Sequence, residues 1–480
     1  MSYVSAIGVH LPRLRLSREA IAAATGWLTG ESGGRGTRSL AFWDEDSLTM
    51  AVAAARACLA AGGDPAPSLR ALHFATSSPV FAEPANASFL HAALRLPETC
   101  PAQDVGGGRG GLIALQGALE QGAPGLLAGA DLSAPRAGGA VEARRGDGAA
   151  AVLTGAGEPR LRYLGGASLA APFFDRYRAA GAQAGLTWEE RWTREAGALV
   201  HLPRAIAAAC ARAGVQPAAI AHVVIPNPVP GVGADVARRA GLTSARLADA
   251  LALECGDIGS GHALLMLANA AAGMAGGDLV LLAQFGEGAT ALVFAAEPGV
   301  AGLARQARES LAAGALETNY VKLLVFRDLI EWERGLRARA PINEALTTAH
   351  RNAAALLGFV GGRCARTGEV QFPPSSIAAA EGGAARAPLV DAFAPWPLAD
   401  RGGRVATFTA DRLAFSRHPP HCYGFVDVDG GGRVLMDFTD PDAGALGIGD
   451  PVRFAFRIKD LDDHTGFRRY FWKAVAARPD

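Results

Sequence analysis

The chain has 480 residues, half of them hydrophobic, and equal numbers of basic and acidic residues, so its formal net charge is zero. This balance argues against electrostatic binding to nucleic acid or to an anionic membrane, and no apolar run approaches the roughly 20 residues of a membrane-spanning helix. The N-terminus lacks the pattern of a secretory signal, and six scattered cysteines do not suggest a disulfide framework. We expect a cytoplasmic protein with reduced thiols and about two or three domains.

Short apolar strands alternate with alanine-rich helices over the first 298 residues. The predicted strands are 71–75, 125–130, 149–153, 222–225, 278–284 and 290–295, and the predicted helices are 47–61, 112–120, 203–213 and 263–272. Alternation of this kind predicts a mostly parallel sheet with helices on both of its faces.

A glycine-rich turn at 106–111, Gly-Gly-Gly-Arg-Gly-Gly, joins an extended stretch to the helix predicted at 112–120. In many α/β enzymes such a junction presents a nucleophile at the helix N-terminus, where backbone N–H groups and the helix dipole stabilise negative charge. This turn offers only glycines and Arg109. Either the glycines let backbone N–H groups approach an oxyanion, or they form a tight turn that serves only strand–helix packing.

The chain also contains an internal repeat. The sequence Gly-Asp-Gly-Ala-Ala-Ala-Val-Leu at 146–153 reappears as Gly-Glu-Gly-Ala-Thr-Ala-Leu-Val at 286–293, an offset of 286 − 146 = 140 residues. A glycine-rich turn and an apolar helix precede each copy. Two copies at matching places indicate a duplicated α/β unit.

The pattern changes from about Glu317 onwards. Residues 320–339 are amphipathic and rich in charge, which predicts a helix with Phe326 and Trp332 on its less polar side. The strand-like segments that follow are separated by Gly, Pro and Asp and predict a small antiparallel barrel. These segments are 402–410, 423–428, 433–437, 451–458 and 469–472.

Four motifs occur in order in the first 298 residues. They are Ala-Ile-Gly-Val-His-Leu-Pro-Arg at 6–13, Asp-Glu-Asp-Ser-Leu-Thr-Met-Ala at 44–51, Gly-Asp-Gly-Ala-Ala at 146–150 and Gly-Asp-Ile-Gly-Ser-Gly-His at 256–262. In this order and spacing they resemble the thiolase superfamily, in its HMG-CoA synthase-like and ketoacyl-carrier-protein synthase III-like branch. The resemblance implies a duplicated five-layer α/β/α/β/α fold with halves at 1–163 and 164–298.

The remainder of the chain resembles the OB-fold domain that accompanies thiolase-like proteins, usually behind a zinc ribbon. The resemblance rests on segments 361–374, 425–433 and 470–473, and it implies a helical linker at 299–345 and a zinc-ribbon and OB-fold domain at 346–480. A structural zinc site of this type needs four thiolates. Cys364 has Thr367 in place of its partner and 375–383 contain no cysteine, so we expect a degenerate ribbon and no zinc.

The departures from the family concern its catalytic residues. The places of the family's acylated cysteine, its histidine, its glutamate base and its assisting asparagine hold Gly108, Pro226 or Asn227, Ser77 or Ser78, and Asp257. Glycine forms no acyl intermediate, and no histidine remains at the family position to act as a base. We therefore predict that the usual condensation mechanism is lost.

Other residues near this site are candidates for the remaining chemistry, each with a plainer alternative. His262 is the first candidate acid or base, or else a structural histidine bonded to nearby backbone. Asp257 is a base if burial raises its pKa, or else caps the following turn. Arg109 pairs with a phosphate or carboxylate, or bonds local carbonyls.

Binding of a thioester carbonyl is the function predicted for Gly107, Gly108 and Asn227, although Asn227 also suits a turn-shaping role between two prolines. Cys100 and Cys255 are expected to be buried, inert thiols. His201 precedes a proline as in the family's His-x-Pro motif, but it lies at a helix start.

Three functional hypotheses follow. The first is a non-acylating scaffold subunit that binds an acyl-CoA or acyl-carrier thioester beside an active thiolase or synthase. The second is a lyase or acyltransferase without an acyl-enzyme, for example one that cleaves a β-hydroxyacyl-CoA by a retro-aldol step. The third is an active synthase with a relocated nucleophile. The resemblance implies a homodimer or a heteromer with a catalytic relative, no prosthetic group, and CoA or phosphopantetheine thioesters as substrates.

Overall fold

The computed structural model describes residues 2–29, 34–139, 141–182, 184–226, 229–335, 345–375, 393–462 and 465–477. Two compact units divide the chain. The first comprises Met1–Ala41, Asp46–His91 and Leu96–Arg327, and the second comprises Phe42–Glu45, Ala92–Arg95 and Asp328–Asp480.

Fifteen strands are described up to residue 327. They are β1 (Tyr3–His10), β2 (Leu14–Ser17), β3 (Thr37–Leu40), β4 (Ala71–Ala75), β5 (Ala102–Val105), β6 (Gly125–Asp131), β7 (Gly148–Thr154), β8 (Leu161–Ala170), β9 (Arg176–Tyr177), β10 (Leu186–Thr187), β11 (His222–Val224), β12 (Arg246–Leu247), β13 (Leu279–Phe285), β14 (Gly288–Ala296) and β15 (Ala315–Glu317).

Ten α-helices are described over the same part of the chain. They are α1 (Arg18–Thr29), α2 (Ser47–Ala61), α3 (Asn86–Ala93), α4 (Gly110–Gln121), α5 (Glu190–Trp192), α6 (Leu199–Ala213), α7 (Val232–Arg239), α8 (His262–Ala271), α9 (Ala304–Ala312) and α10 (Tyr320–Phe326). Strand β4 and helix α2 coincide with their predicted ranges. Helix α2 begins at a capping box, in which Asp46 and Thr49 each bond the other's backbone N–H.

The principal sheet has the order β12-β11-β13-β14-β8-β1-β7-β6-β4-β5. Its two halves mirror each other, and the repeated motifs at 146–153 and 286–293 place β7 and β14 at matching positions. The expectation of a mostly parallel sheet was wrong. Among the described strands of this sheet, β4 pairs in parallel with β5 and β6, and β11 with β12 and β13, but the centre is antiparallel. Antiparallel neighbours such as β13 and β14 need only a tight turn rather than a crossover helix.

The two halves of this sheet and three layers of helices make up five layers. Helices α4 and α8 form the central layer, because they contact strands of both halves and their apolar side chains share one buried core with β1, β7, β13 and β14. Helix α2 packs on β1, β6 and β7, while α6 packs on β8, β13 and β14. The duplicated α/β/α/β/α arrangement is therefore confirmed.

Structural elements cross the predicted domain boundaries. Strand β8 spans the boundary proposed between 163 and 164, and β15, which lies within the predicted linker, pairs with β2 of the first unit. The division of the N-terminal part into halves at 163 and a linker at 299–345 stays a prediction.

The helix predicted over 320–339 was wrong for residues 327–335, which are not helical, while 336–339 lie outside the described residues. Helix α10 ends at Phe326, and Asp328 adopts a left-handed φ of 51° that an α-helix does not accommodate. Arg327 forms an ion pair with the buried Asp147, Nη2 to Oδ2 2.5 Å. Further on, Trp332 stacks on Phe415 with ring centroids 5.5 Å apart, so its apolar partner comes from tertiary packing rather than from a helix face.

The second unit is mainly β-structure. Its elements are α11 (Leu346–Arg351), α12 (Ala353–Leu356), β16 (Val360–Cys364), β17 (Val370–Gln371), β18 (Phe393–Pro397), β19 (Gly402–Val405), β20 (Thr409–Asp411), β21 (His421–Val428), β22 (Arg433–Asp437), β23 (Pro451–Leu461) and β24 (Arg468–Ala476). Strands β19 to β24 form an antiparallel sheet. Phe359, Phe454 and Trp472 fill its core, as the predicted barrel requires.

Two features of the described residues concern metals and membranes. Within the parts of the chain that the structure describes, which omit 376–392 of the predicted zinc ribbon, His, Cys, Asp and Glu side chains form no group of three or more able to hold a metal ion. None of the described helices has the length and apolar character needed to cross a membrane.

Candidate functional site

The glycine turn lies between the end of β5 and the start of α4, where a nucleophile was expected. A Cβ atom built on Gly108 would lie 2.9 Å from Nη2 of Arg176 and 3.9 Å from Oε2 of Glu287. A Cβ atom on Gly107 would lie 3.6 Å from the same Glu287 oxygen. An arginine and a carboxylate therefore occupy the surroundings of the missing side chain.

Arg109 joins this turn to the turn between β13 and β14. Its Nε donates to the carbonyl oxygen of Gly286, Nη2 donates to that of Glu287 at 2.9 Å, and Nη1 donates to the Thr290 hydroxyl at 2.7 Å. Burial lowers the pKa of the guanidinium, and the Glu287 charge opposes that shift. All three side-chain nitrogens of Arg109 therefore donate hydrogen bonds within the protein. This arrangement fits the alternative role, in which Arg109 bonds carbonyl oxygens rather than a ligand, although these oxygens are distant in the sequence.

Gln284 adds a second link between the two turns, since its side-chain amide donates to the carbonyl oxygen of Gly108 at 3.1 Å. The next residues of the β13–β14 turn adopt unusual backbone conformations. Glu287 has a left-handed φ of 42°, and a Cβ on its neighbour Gly288 would overlap the Leu169 carbonyl oxygen. A left-handed backbone costs a non-glycine residue about 1–2 kcal/mol, so the Arg109 bonds hold a strained turn in place.

The segment after β8 brings three further charged residues to this region. Arg176 reaches Gly108 as described, and Arg178 donates to the carbonyl oxygen of Ser77. Burial raises the pKa of the Asp175 carboxyl, and the charge of Glu287 raises it further, while Arg145 lowers it. The sequence contained a signal for Glu287, an acidic residue between two glycines, but Asp175 and Arg176 carry no local motif.

Asp257, at the family's asparagine position, is already paired. Its Oδ1 accepts from the Gly259 N–H at 2.9 Å, and its Oδ2 lies 3.5 Å from Nε of Arg145. Burial acts to raise the pKa of this carboxyl, but Arg145, His262 and the Gly259 N–H together hold it below its usual value. This geometry suits the turn-capping alternative.

His262 is buried, and backbone groups meet both of its ring nitrogens. Nε2 lies 3.0 Å from the carbonyl oxygen of Ala250, and Nδ1 accepts from the Ile258 N–H at 3.4 Å. These contacts fit the neutral tautomer that carries its proton on Nε2. Burial also lowers the pKa of the ring, so the contacts favour the structural alternative; an acid–base role for His262 stays a prediction.

The family's glutamate position forms part of a buried polar cluster around Asp131. One oxygen of this carboxylate accepts from the Ser77 N–H at 2.6 Å and from the Ser78 and Thr76 hydroxyls, and the other accepts from the Ser260 N–H and hydroxyl. Asp131 therefore holds two turns in place. Ser77 and Ser78 serve as its donors and supply no base.

The family's histidine position is only partly described. Pro226 is buried at the end of the stretch that follows β11, and the predicted ligand-binding Asn227 lies outside the described residues. His201 lies in α6 among aromatic rings, with its centroid 6.2 Å from that of Phe285 and the two planes 20° apart. Burial, then Arg204 and Arg109, lower the pKa of His201. The sequence indicated that His201 lies at the start of a helix, but it gave no sign that His201 would lie beside Phe285 and the Gly286 turn.

Solved structures share the architecture of the first unit. Among them is 3-oxoacyl-(acyl carrier protein) synthase III from Pseudomonas aeruginosa PAO1, with 24% identity over 62% of this chain and 98% of that one, and a TM-score of 0.53. An HMG-CoA synthase complexed with CoA shows 16% identity over 72% and 94%, with a TM-score of 0.58. The first unit is a thiolase-fold domain. OleA from Xanthomonas campestris also matches it, with 16% identity over 61% and 98% of the chains and a TM-score of 0.52.

The second unit contains an OB-fold domain. Residues 396–457 match the family described as the ChsH2 C-terminal OB-fold domain, and these residues run from β18 into β23. Comparison with curated protein sequences gives no match. The expectation of a thiolase fold fused to an OB fold is confirmed.

The thiols of the thiolase-fold domain are poorly suited to act as nucleophiles. Cys58, Cys100, Cys210 and Cys255 are all buried. The Cys255 thiol lies 3.3 Å from the Gly256 carbonyl oxygen and 3.5 Å from that of Leu251, and burial raises its pKa to about 12. Burial also raises the pKa of Cys100. Since the thiolate is the reactive form, neither is suited to carry an acyl group.

Proposed function

We propose that the thiolase-fold domain binds an acyl thioester of CoA or of a carrier protein without transferring the acyl group to the enzyme. The observation that carries this proposal is Gly108 at the start of α4, with Arg176 and Glu287 around the place of the missing side chain. Two solved structures of the same fold, an HMG-CoA synthase complexed with CoA and a 3-oxoacyl-(acyl carrier protein) synthase III, support the choice of ligand class.

The proposed biological role is that of a non-acylating subunit beside an active thiolase or synthase, in a homodimer or a heteromer. Loss of the nucleophile and the buried state of Cys100 and Cys255 support this role over a synthase with a relocated thiol. Helix α4 begins at Gly110, whose N–H donates to the Gly107 carbonyl oxygen at 3.2 Å, and the Leu112 N–H donates to that of Arg109 at 3.0 Å. The proposed binding therefore depends on the space and the charged groups around Gly108 rather than on free N–H groups of the helix.

Calorimetric titration with acetyl-CoA, acetoacetyl-CoA and 3-hydroxy-3-methylglutaryl-CoA tests the binding claim. Gly108→Leu places an aliphatic side chain against Arg176, and we expect it to weaken binding at least about tenfold, or about 1.4 kcal/mol. Gly117→Leu is the matched control, because Gly117 lies on the same helix with open space where its Cβ would stand. Binding that is absent, or equal in both variants, contradicts the proposal.

A lyase that needs no acyl-enzyme is the second candidate function, and the position of Glu287 favours it. Its carboxylate lies close to Gly107 and Gly108, and the residue is exposed at the surface. A base at that place would allow retro-aldol cleavage of a β-hydroxyacyl thioester, in which no enzyme nucleophile is required.

A further inference from the structure

Residues 42–45, Phe-Trp-Asp-Glu, belong to the second compact unit, whereas the strand before them and the helix after them belong to the first. We call these four residues the acidic segment. Asp44 and Glu45 are almost completely buried. Carboxylates are rarely buried without partners, so the second unit has to supply groups that receive them.

Glu45 is received by Arg457 of β23, which is also buried. Arg457 donates through Nη1 to Oε1 of Glu45 and through Nη2 to Oδ1 of Asp440 at 2.7 Å. Its Nε lies 3.9 Å from Oδ1 of Asp44. One guanidinium therefore meets both carboxylates of the acidic segment and one carboxylate of the OB-fold domain.

Asp44 is received by a second buried cation. Its Oδ2 accepts from Nζ of Lys473 at 2.9 Å and from the hydroxyl of Thr439 at 2.7 Å. The Lys473 ammonium also lies 4.5 Å from the ring centroid of Trp43, a cation–π contact. The main chain takes part as well, because the Ile458 N–H donates to the carbonyl oxygen of Asp44 at 3.0 Å. The sheet therefore contacts the charge, the aromatic ring and the backbone of the acidic segment.

The two cations do not need the acidic segment to balance their charge. Arg457 has Asp440 as a partner, and Nζ of Lys473 lies 4.0 Å from Oδ2 of Asp437. Buried ion pairs carry a large desolvation cost and often stabilise a protein no better than apolar residues would. Recognition of the segment's charges therefore explains this cluster better than stabilisation of the sheet does.

We propose that the OB-fold domain carries a binding site for an acidic aromatic segment, with Arg457 and Lys473 as its cationic residues, and that residues 42–45 of the same chain occupy this site as an intramolecular ligand. The chemistry that the site selects is an aromatic ring followed by two carboxylates. This inference does not depend on the proposed thioester binding.

Hydrogen exchange of the full-length protein, resolved to single amides by mass spectrometry, tests the proposal. The Ile458 N–H is the reporter, because its acceptor is the carbonyl oxygen of Asp44. The double variant Asp44→Asn, Glu45→Gln neutralises the ligand and leaves both cations with their own carboxylates. We expect Ile458 to exchange at least about tenfold faster in it, while the amides of β21 and β22 keep their protection. The matched control is Asp427→Asn, Asp429→Asn, which neutralises two exposed carboxylates of the same domain and should leave Ile458 unchanged.

The receptor side is tested by Lys473→Met, which should give the same local loss of protection at Ile458. Unchanged exchange at Ile458 in either test variant overturns the proposal. Loss of protection that spreads through β21 and β22 also overturns it, because the acidic segment would then be part of the core of the sheet rather than a ligand. In the wild type, protection of Ile458 that increases with protein concentration would place a second copy's segment in the site and overturn the intramolecular assignment.

Discussion

Alanine substitutions of Gly108 and of Gly107 should affect stability differently, although the residues are neighbours in one turn. Gly107 has a φ of 91°, in the left-handed region, whereas Gly108 is not among the residues with positive φ. Both substitutions reduce the entropy of the unfolded chain to the same extent. The difference between them therefore isolates the backbone strain and the local space.

The magnitude follows from these contacts. In Gly107→Ala the new Cβ would meet Glu287 at 3.6 Å, an ordinary contact, so the cost is that of the left-handed backbone, about 1–2 kcal/mol. In Gly108→Ala the new Cβ would meet the end of the flexible Arg176 side chain at 2.9 Å, which can move aside. We expect Gly108→Ala to lie within about 0.5 kcal/mol of the wild type.

Urea unfolding followed by circular dichroism measures this difference as a shift of the transition midpoint. Gly107→Ala should unfold at a clearly lower urea concentration than Gly108→Ala. Equal destabilisation by both variants would refute the reasoning, because it would mean that Gly108 is required by the fold and that its lack of a side chain says nothing about function.

Further predictions concern the groups around the turn. Arg109→Ala should destabilise the thiolase-fold domain by about 1–3 kcal/mol, measured by urea unfolding. It removes the Arg109 bond to the Gly286 carbonyl oxygen, whereas the oxygens of Glu287 and Thr290 keep Ala171 and Ser168 as partners. An unchanged urea midpoint would contradict the idea that Arg109 holds the two turns together. His262→Ala should also destabilise the fold. Because burial lowers the pKa of His262, the unfolded chain binds more protons below about pH 6.5, so stability falls as the pH drops through that value. Urea midpoints between about pH 5 and 8 should show a smaller loss in His262→Ala, and an unchanged slope would contradict this. The pKa of Cys58 and Cys255 is raised to about 12, so neither should react with a thiol reagent at neutral pH until the protein is unfolded; rapid labelling of the folded protein would contradict their burial.

Much of the fold could be predicted from local patterns in the sequence. The range of α2 was predictable because its capping box and apolar spacing lie within the segment itself, and β4 is bounded by turn-forming residues. The helix over 320–339 failed because its end depends on the ion pair between Arg327 and the distant Asp147 and on a left-handed Asp328, neither of which periodicity reveals.

The candidate site was predictable only where one residue replaces another in a motif. The replacement at Gly108 was visible in the sequence, and the motif at 286–288 showed an acid between glycines. The convergence of Glu287 and Arg176 on the Gly108 turn was not visible, because these side chains come from segments more than 60 residues away in the chain. Their proximity is a product of the sheet order.

The intact mass of the protein after incubation with acetyl-CoA and acetoacetyl-CoA, measured on a sample in which calorimetry has established binding, tests the central claim most directly. Thioester binding with an unchanged protein mass is the predicted result, since Gly108 offers no nucleophile and the described thiols are buried. An acyl adduct that disappears in Cys100→Ala or Cys255→Ala would contradict the account and identify an ordinary acylating enzyme.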